Sequence, residues 1–283
     1  MPTVYQLALM AEDIYTRDDS GIYAASFPDP APADLPDAAT LNRLSYTSDN
    51  GFAAAVYETH DAATITYRGI DASADPIPVD AAPEDVPPQF ARAIAFAEAM
   101  IKDHHLVPDR TYLCGHSLGG ALTKYVAHHL AGQNWLAAAA VSFNGPGLSV
   151  SMLDRALVAG MSRLTDDLPV GVGVRAVHRL MQQADVPLRD QTKAHLININ
   201  LDGDIVSRIG DAAGVTFTLT APDFVCPAQY SYGGRARLPI HPQARIALLR
   251  EVYLHSMHTL RRVLADDPLG RAQARDLLDH QTS

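Results

Sequence analysis
The stretch RTYLCGHSLGGAL at 110–122 constrains the fold more than any other part of the chain. TYLC reads as a buried strand, and SLGGALTKYVAHHL reads as a helix. Between them the chain must turn sharply at Ser117. Gly115 and Gly119 flank that serine at G-x-S-x-G spacing, and without a Cβ they let neighbouring backbone approach closely. The serine is then held at the tip of a strand-to-helix elbow with its hydroxyl exposed. It also stands near a helix N-terminus, where free N–H groups favour developing negative charge. The Leu118 N–H would face a carbonyl oxygen under attack. The plain alternative is a glycine-rich β–α turn with no chemistry.

The rest of the pattern supports an α/β architecture. Val4, Leu7, Ala8, Ala11, Ile14 and Tyr15 recur at helical spacing, as do Phe90, Ala93, Ile94, Ala97, Met100 and Ile101. Strands are expected in GFAAAVYET and AATITYRG, around a turn at His60–Asp61, and then at 111–115, 137–143, 195–201 and 215–220. Strands alternating with helices imply a mostly parallel sheet covered on both faces, within one domain over 1–283. FPDPAPADLPD (27–37) and the proline- and carboxylate-rich 70–88 read as loops. The segment 145–194 reads as a helical insert with apolar stripes, Val150, Leu153, Leu157, Met161 and Leu164 among them. It fits a lid over the serine and a pair of helices packed on the sheet equally well.

A serine hydroxyl is a weak nucleophile and needs a histidine base, itself held by a carboxylate. In α/β-hydrolases these follow the serine in the order acid, then histidine. Asp202 and Asp204 both sit after a strand ending near Leu201, where catalytic groups of open α/β sheets collect. For either one the alternative is a turn residue or helix cap, the commoner role of an aspartate after a strand. The histidine candidates are His241, His255 and His258. The adjacent pairs His104–His105 and His128–His129 diverge on a helix, so no metal site is expected there.

Composition excludes some classes. Net charge is −10, which argues against a nucleic-acid partner. Two cysteines, Cys114 and Cys226, make no disulfide framework. The longest apolar run, near WLAAAAV, is far short of the ~20 residues of a spanning helix. The first residues carry no basic leader, and Glu12 and Asp13 interrupt their apolar run. The expectation is a cytoplasmic protein, or one exported without a Sec signal.

Taken together, these segments resemble the class 3 lipase family, the fungal-lipase-like α/β-hydrolases. TITYRGIDASADPIPVD is similar to that family's strand, Arg-Gly turn and acidic loop, and GHSLGGAL to its elbow. VSFNGPGL resembles the next strand and turn, NLDGDIVSRIG the aspartate segment, and LHSMHTL the histidine segment. The resemblance covers roughly residues 53–260. It implies Ser117 as nucleophile, Asp204 as acid ahead of Asp202, and His255 as base ahead of His258, with His241 third. It implies an oxyanion hole from the N–H groups of Leu118 and Ile70. The family usually has Thr or Ser where Ile70 stands, so one side-chain donor is missing. A Trp often found in the acidic loop is replaced by Pro76.

The implied function is hydrolysis of carboxylic esters of lipids, as a lipase, phospholipase or esterase, through an acyl-enzyme and without cofactor or metal. The implied partner is a lipid or ester substrate, met in transient contact with a membrane or lipid interface. Two alternatives remain: a phospholipase effector or toxin, and a non-catalytic lipid-binding relative. If His255 is the base, the helix around it should break or begin close to it. If it begins there, Ser256 would cap it, His255 would sit in the loop just before, and His258 would lie on the first turn facing elsewhere.

Overall fold
The computed structural model describes residues 1–16, 41–49, 52–69, 88–148, 187–224, 250 and 253–281. Seven strands form one sheet: β1 (Asn42–Asp49), β2 (Phe52–Glu58), β3 (Ala63–Tyr67), β4 (Thr111–His116), β5 (Ala139–Phe143), β6 (Leu196–Leu201) and β7 (Val215–Leu219). Their spatial order is β1-β2-β3-β4-β5-β6-β7. β1, β2 and β3 pair antiparallel, and β3 to β7 run parallel. The expected strands are all present. β1 was not expected from the sequence.

Strictly sequential parallel strands have a consequence. Right-handed crossovers that always step in one direction return along the same face. Helix α2 (Pro88–Asp103) joins β3 to β4 and helix α3 (Leu118–Gly132) joins β4 to β5. Both pack on one face, where Phe90, Ala93, Leu122 and Val126 meet Val56, Ile65, Leu113 and Ala140. The opposite face needs a cover from elsewhere. It is supplied by α1 (Val4–Thr16), α5 (Met257–Asp266) and a 3-10 helix at Ala274–Gln281. Leu7, Met10, Ile14, Leu260, Leu264 and Leu277 bury the Tyr112, Cys114, Val141 and Ile199 side of the sheet. Alternation along β4 splits its residues accordingly, Leu113 to one face and Tyr112 and Cys114 to the other.

The two ends of the chain are tied together. Thr3 bridges Gln273, and the Val4 N–H donates to the Ala272 carbonyl at 3.0 Å. Two short helices, α4 (Asp190–Lys193) and α6 (Pro268–Arg271), precede β6 and follow α5. This is an α/β-hydrolase fold, a mostly parallel sheet with helices on both faces. Of the helical insert at 145–194, residues 149–186 lie outside the described residues, as do the loops at 27–37 and 70–87.

Candidate active site
The elbow forms where β4 gives way to α3. Ser117 has φ 58° and ψ −127°, a conformation that side-chain-bearing residues rarely adopt. The turn is tight because a Cβ on Gly119 would overlap the Tyr67 carbonyl, and one on Gly115 would strike the backbone of Gly119. The Ser117 N–H donates to the Phe143 carbonyl at 3.0 Å, and the Ser117 carbonyl accepts from the Gly120 N–H at 2.9 Å. Leu118 opens α3, so its N–H has no intrahelical acceptor.

Three sequence-derived candidates come together here. His255 Nε2 lies 2.8 Å from Ser117 Oγ, and His255 Nδ1 lies 2.8 Å from Asp204 Oδ1. Asp204 follows β6 and is fully buried, while the His255 side chain is 18% exposed. The second carboxylate oxygen of Asp204 accepts from the Ser207 N–H at 2.8 Å. A carboxylate can only accept, so the proton of the imidazole sits on Nδ1 and the Nε2 lone pair faces the serine. Asp202 is exposed and pairs with Arg208 at 3.3 Å.

Residues 253–255 are helical, the helix breaks at Ser256, and α5 begins at Met257 with Ser256 at its N-cap, so His255 ends one helical segment and does not stand in a loop. The Ser256 hydroxyl is buried and makes no cap bond. His258 turns the other way, onto α1. Its Nδ1 donates to Glu12 at 2.8 Å, and Arg261 pairs with the same carboxylate and donates to Tyr5 Oη at 2.9 Å. His241 and Ile70 lie outside the described residues.

The turn ahead of Ile70 does reach the serine. A Cβ on Gly69 would lie 2.9 Å from Ser117 Cβ and 2.7 Å from the His116 carbonyl. Residues outside the sequence-derived set hold the site together. Asn144, with φ 45°, accepts from the Leu201 N–H at 2.8 Å and donates to the Leu254 carbonyl at 3.0 Å. It thereby joins the strand that carries the aspartate loop to the segment that carries His255. Lys124, wholly buried, donates to the carbonyls of Gly145 and Pro146, and burial pushes its ammonium down to about 7. His116, inside the elbow motif, contacts both Tyr15 and the backbone of His255. Its place in the motif was the one available signal; Tyr15 had none. Cys114 is a free, buried thiol. Among the described residues no three His, Cys, Asp or Glu side chains gather as a metal site requires. None of the helices they form is long and apolar enough to cross a membrane.

A family model for the Tle-like phospholipase domain, of the phospholipase-like group, matches residues 6–218. None of the curated proteins matches the chain. Among solved structures, the chain is similar to the RedJ thioesterase of the prodiginine biosynthetic pathway in Streptomyces coelicolor, at 17% identity and a TM-score of 0.32. That match covers 46% of this chain and 58% of RedJ, less than two thirds of its length. It is similar to the Francisella virulence factor BioJ at 11% identity, over 92% of this chain and 94% of that one, with a TM-score of 0.37. It is similar to an esterase, E25, at 11% identity, over 79% and 78% of the two chains, with a TM-score of 0.37. Likenesses this remote say nothing of substrate.

Proposed function
We propose that this chain, which belongs to the Tle-like phospholipase domain family, is a serine hydrolase that cleaves carboxylic ester bonds of phospholipids. Ser117 is the nucleophile, His255 the base and Asp204 the acid that holds it. The observation that carries the reading is the unbroken path from Ser117 Oγ through both ring nitrogens of His255 to Asp204, each step 2.8 Å. The closer kinship with class 3 lipases belongs to the same proposal. It rests on Arg68-Gly69, the elbow and Asp204-Ile205-Val206.

The chemistry follows from the geometry. Ser117 Oγ attacks the ester carbonyl carbon as its proton passes to His255 Nε2. Asp204, buried beside Nδ1–H, stabilises the imidazolium that forms. The carbonyl oxygen becomes an oxyanion, and the Leu118 N–H at the start of α3 donates to it; the residue after Gly69 is the natural second donor. Collapse of the tetrahedral intermediate breaks the ester C–O bond, and His255 returns its proton to the departing alcohol. Water then repeats the sequence on the acyl-enzyme, releasing fatty acid and restoring Ser117.

The test is fatty-acid release from phosphatidylcholine vesicles, with triacylglycerol emulsion as the second substrate. The wild type releases fatty acid from the vesicles, Ser117→Ala releases none, and Asp204→Asn loses ~10⁴ in kcat. Turnover of the emulsion alone would overturn the phospholipid assignment and leave the hydrolase. Turnover of vesicles by Ser117→Ala would overturn the triad.

A further inference from the structure
We infer that Tyr15 and His116 are positioning residues: a buried hydrogen-bond relay through them holds the turn at Gly69 and the backbone of His255 in register with Ser117. The inference rests on the reading of Ser117, His255 and Asp204 given above.

Donor and acceptor accounting gives the relay one direction. His116 Nε2 lies 2.6 Å from the His255 carbonyl oxygen. A carbonyl only accepts, so Nε2 carries the proton and Nδ1 offers a lone pair. Tyr15 Oη lies 3.0 Å from that Nδ1 and must donate to it. The same hydroxyl lies 3.5 Å from the His116 carbonyl, a longer contact than the one to Nδ1. The Tyr15 oxygen in turn accepts from the Gly69 N–H at 2.8 Å. The chain therefore runs from Gly69 N–H to Tyr15 Oη–H to His116 Nδ1, and from His116 Nε2–H to the base's own carbonyl. Tyr15 and His116 are both buried.

The relay spans four separate parts of the sequence and starts at Gly69, which follows β3. Tyr15 comes from the last turn of α1, His116 from the end of β4, and His255 from the residue pair before α5. The His116 and His255 rings are stacked at 4.8 Å with a 37° tilt. Burial, and next the proximity of His255, push His116 down to about 3. His116 therefore stays neutral while His255 becomes imidazolium during turnover, and it adds no opposing charge beside it. The Gly69 N–H is consumed by Tyr15, so it is not an oxyanion donor; its part is to hold the Gly69 backbone against Ser117.

The experiment compares kcat, KM and melting temperature on one soluble ester for Tyr15→Phe, His116→Phe, His116→Gln and Ser117→Ala. Small displacements of reacting groups cost on the order of 10²-fold in rate. Tyr15→Phe and His116→Phe are expected to lower kcat roughly 10- to 100-fold with KM within about twofold. His116→Gln, which restores a neutral N–H donor near the His255 carbonyl, is expected to recover most of kcat. If kcat follows melting temperature across the set, or if His116→Gln is as impaired as His116→Phe, the residues only pack and the inference is wrong. Wild-type kcat in Tyr15→Phe also overturns it. Activity in Ser117→Ala would instead sink the triad itself, so the two failures are distinct.

Discussion
Ser117, the proposed nucleophile, is also a strained residue. Its φ of 58° costs a residue with a Cβ on the order of 1–3 kcal/mol. Ser117→Gly should therefore unfold at higher denaturant than Ser117→Ala, by about 1 kcal/mol after glycine's unfolded-state entropy is subtracted. Equal midpoints would mean that the elbow is unstrained. His116 makes a second residue-scale prediction. Its ordinary value of 6.5 is pushed to about 3 by burial. Below pH 6.5 the unfolded chain takes up a proton that the folded chain refuses until about pH 3. This part of the stability is therefore complete above pH 6.5 and is lost as pH falls toward 3. The slope approaches ~1.4 kcal/mol per pH unit. Urea midpoints at pH 7 and pH 5 should thus fall further in the wild type than in His116→Gln. Parallel falls would mean that His116 is not held neutral.

At the scale of elements, α1 and α5 are bound by Glu12, His258, Arg261 and Tyr5. Removing the carboxylate leaves a buried guanidinium without its partner, so Glu12→Ala should cost about 3 kcal/mol by chemical denaturation. His258→Ala should lower the melting temperature and leave kcat close to wild type, because its ring faces α1 and not the serine. A kcat loss like that of His255→Ala would contradict this. These elements were unequally legible. The apolar periodicity of 4–15 and 90–101 fixes α1 and α2, buried runs announce β2 to β6, and β7 shows as an alternation of half-buried and exposed residues. β1, NRLSYTSD, has no apolar alternation, since it pairs only with β2 and its described side chains are half-buried or exposed. Asp204 and His255 were legible only through spacing and resemblance. The choice of His255 over His258 turns on which way each ring faces across α5, and periodicity alone does not set that. Tyr15 was invisible because its partner is 101 residues away.

For the whole molecule, sheet order decides where chemistry can sit. Sequential crossovers fill one face with α2 and α3, and both ends of the chain cover the other, so Tyr15 on α1 and His255 before α5 reach the same strand ends as Ser117. Residues 15, 117, 204 and 255, far apart in sequence, thus meet only in the folded sheet. A non-catalytic lipid-binding relative would keep this fold and lose only the serine's reactivity. The most direct measurement is covalent labelling by an alkyl fluorophosphonate, located by mass spectrometry of the digested protein, in wild type, Ser117→Ala and His255→Ala. The account predicts one phosphonate on Ser117 in the wild type, none in Ser117→Ala, and labelling slowed by a factor on the order of 10³ or more in His255→Ala. An unlabelled wild type, or label on another residue that persists in Ser117→Ala, would contradict it.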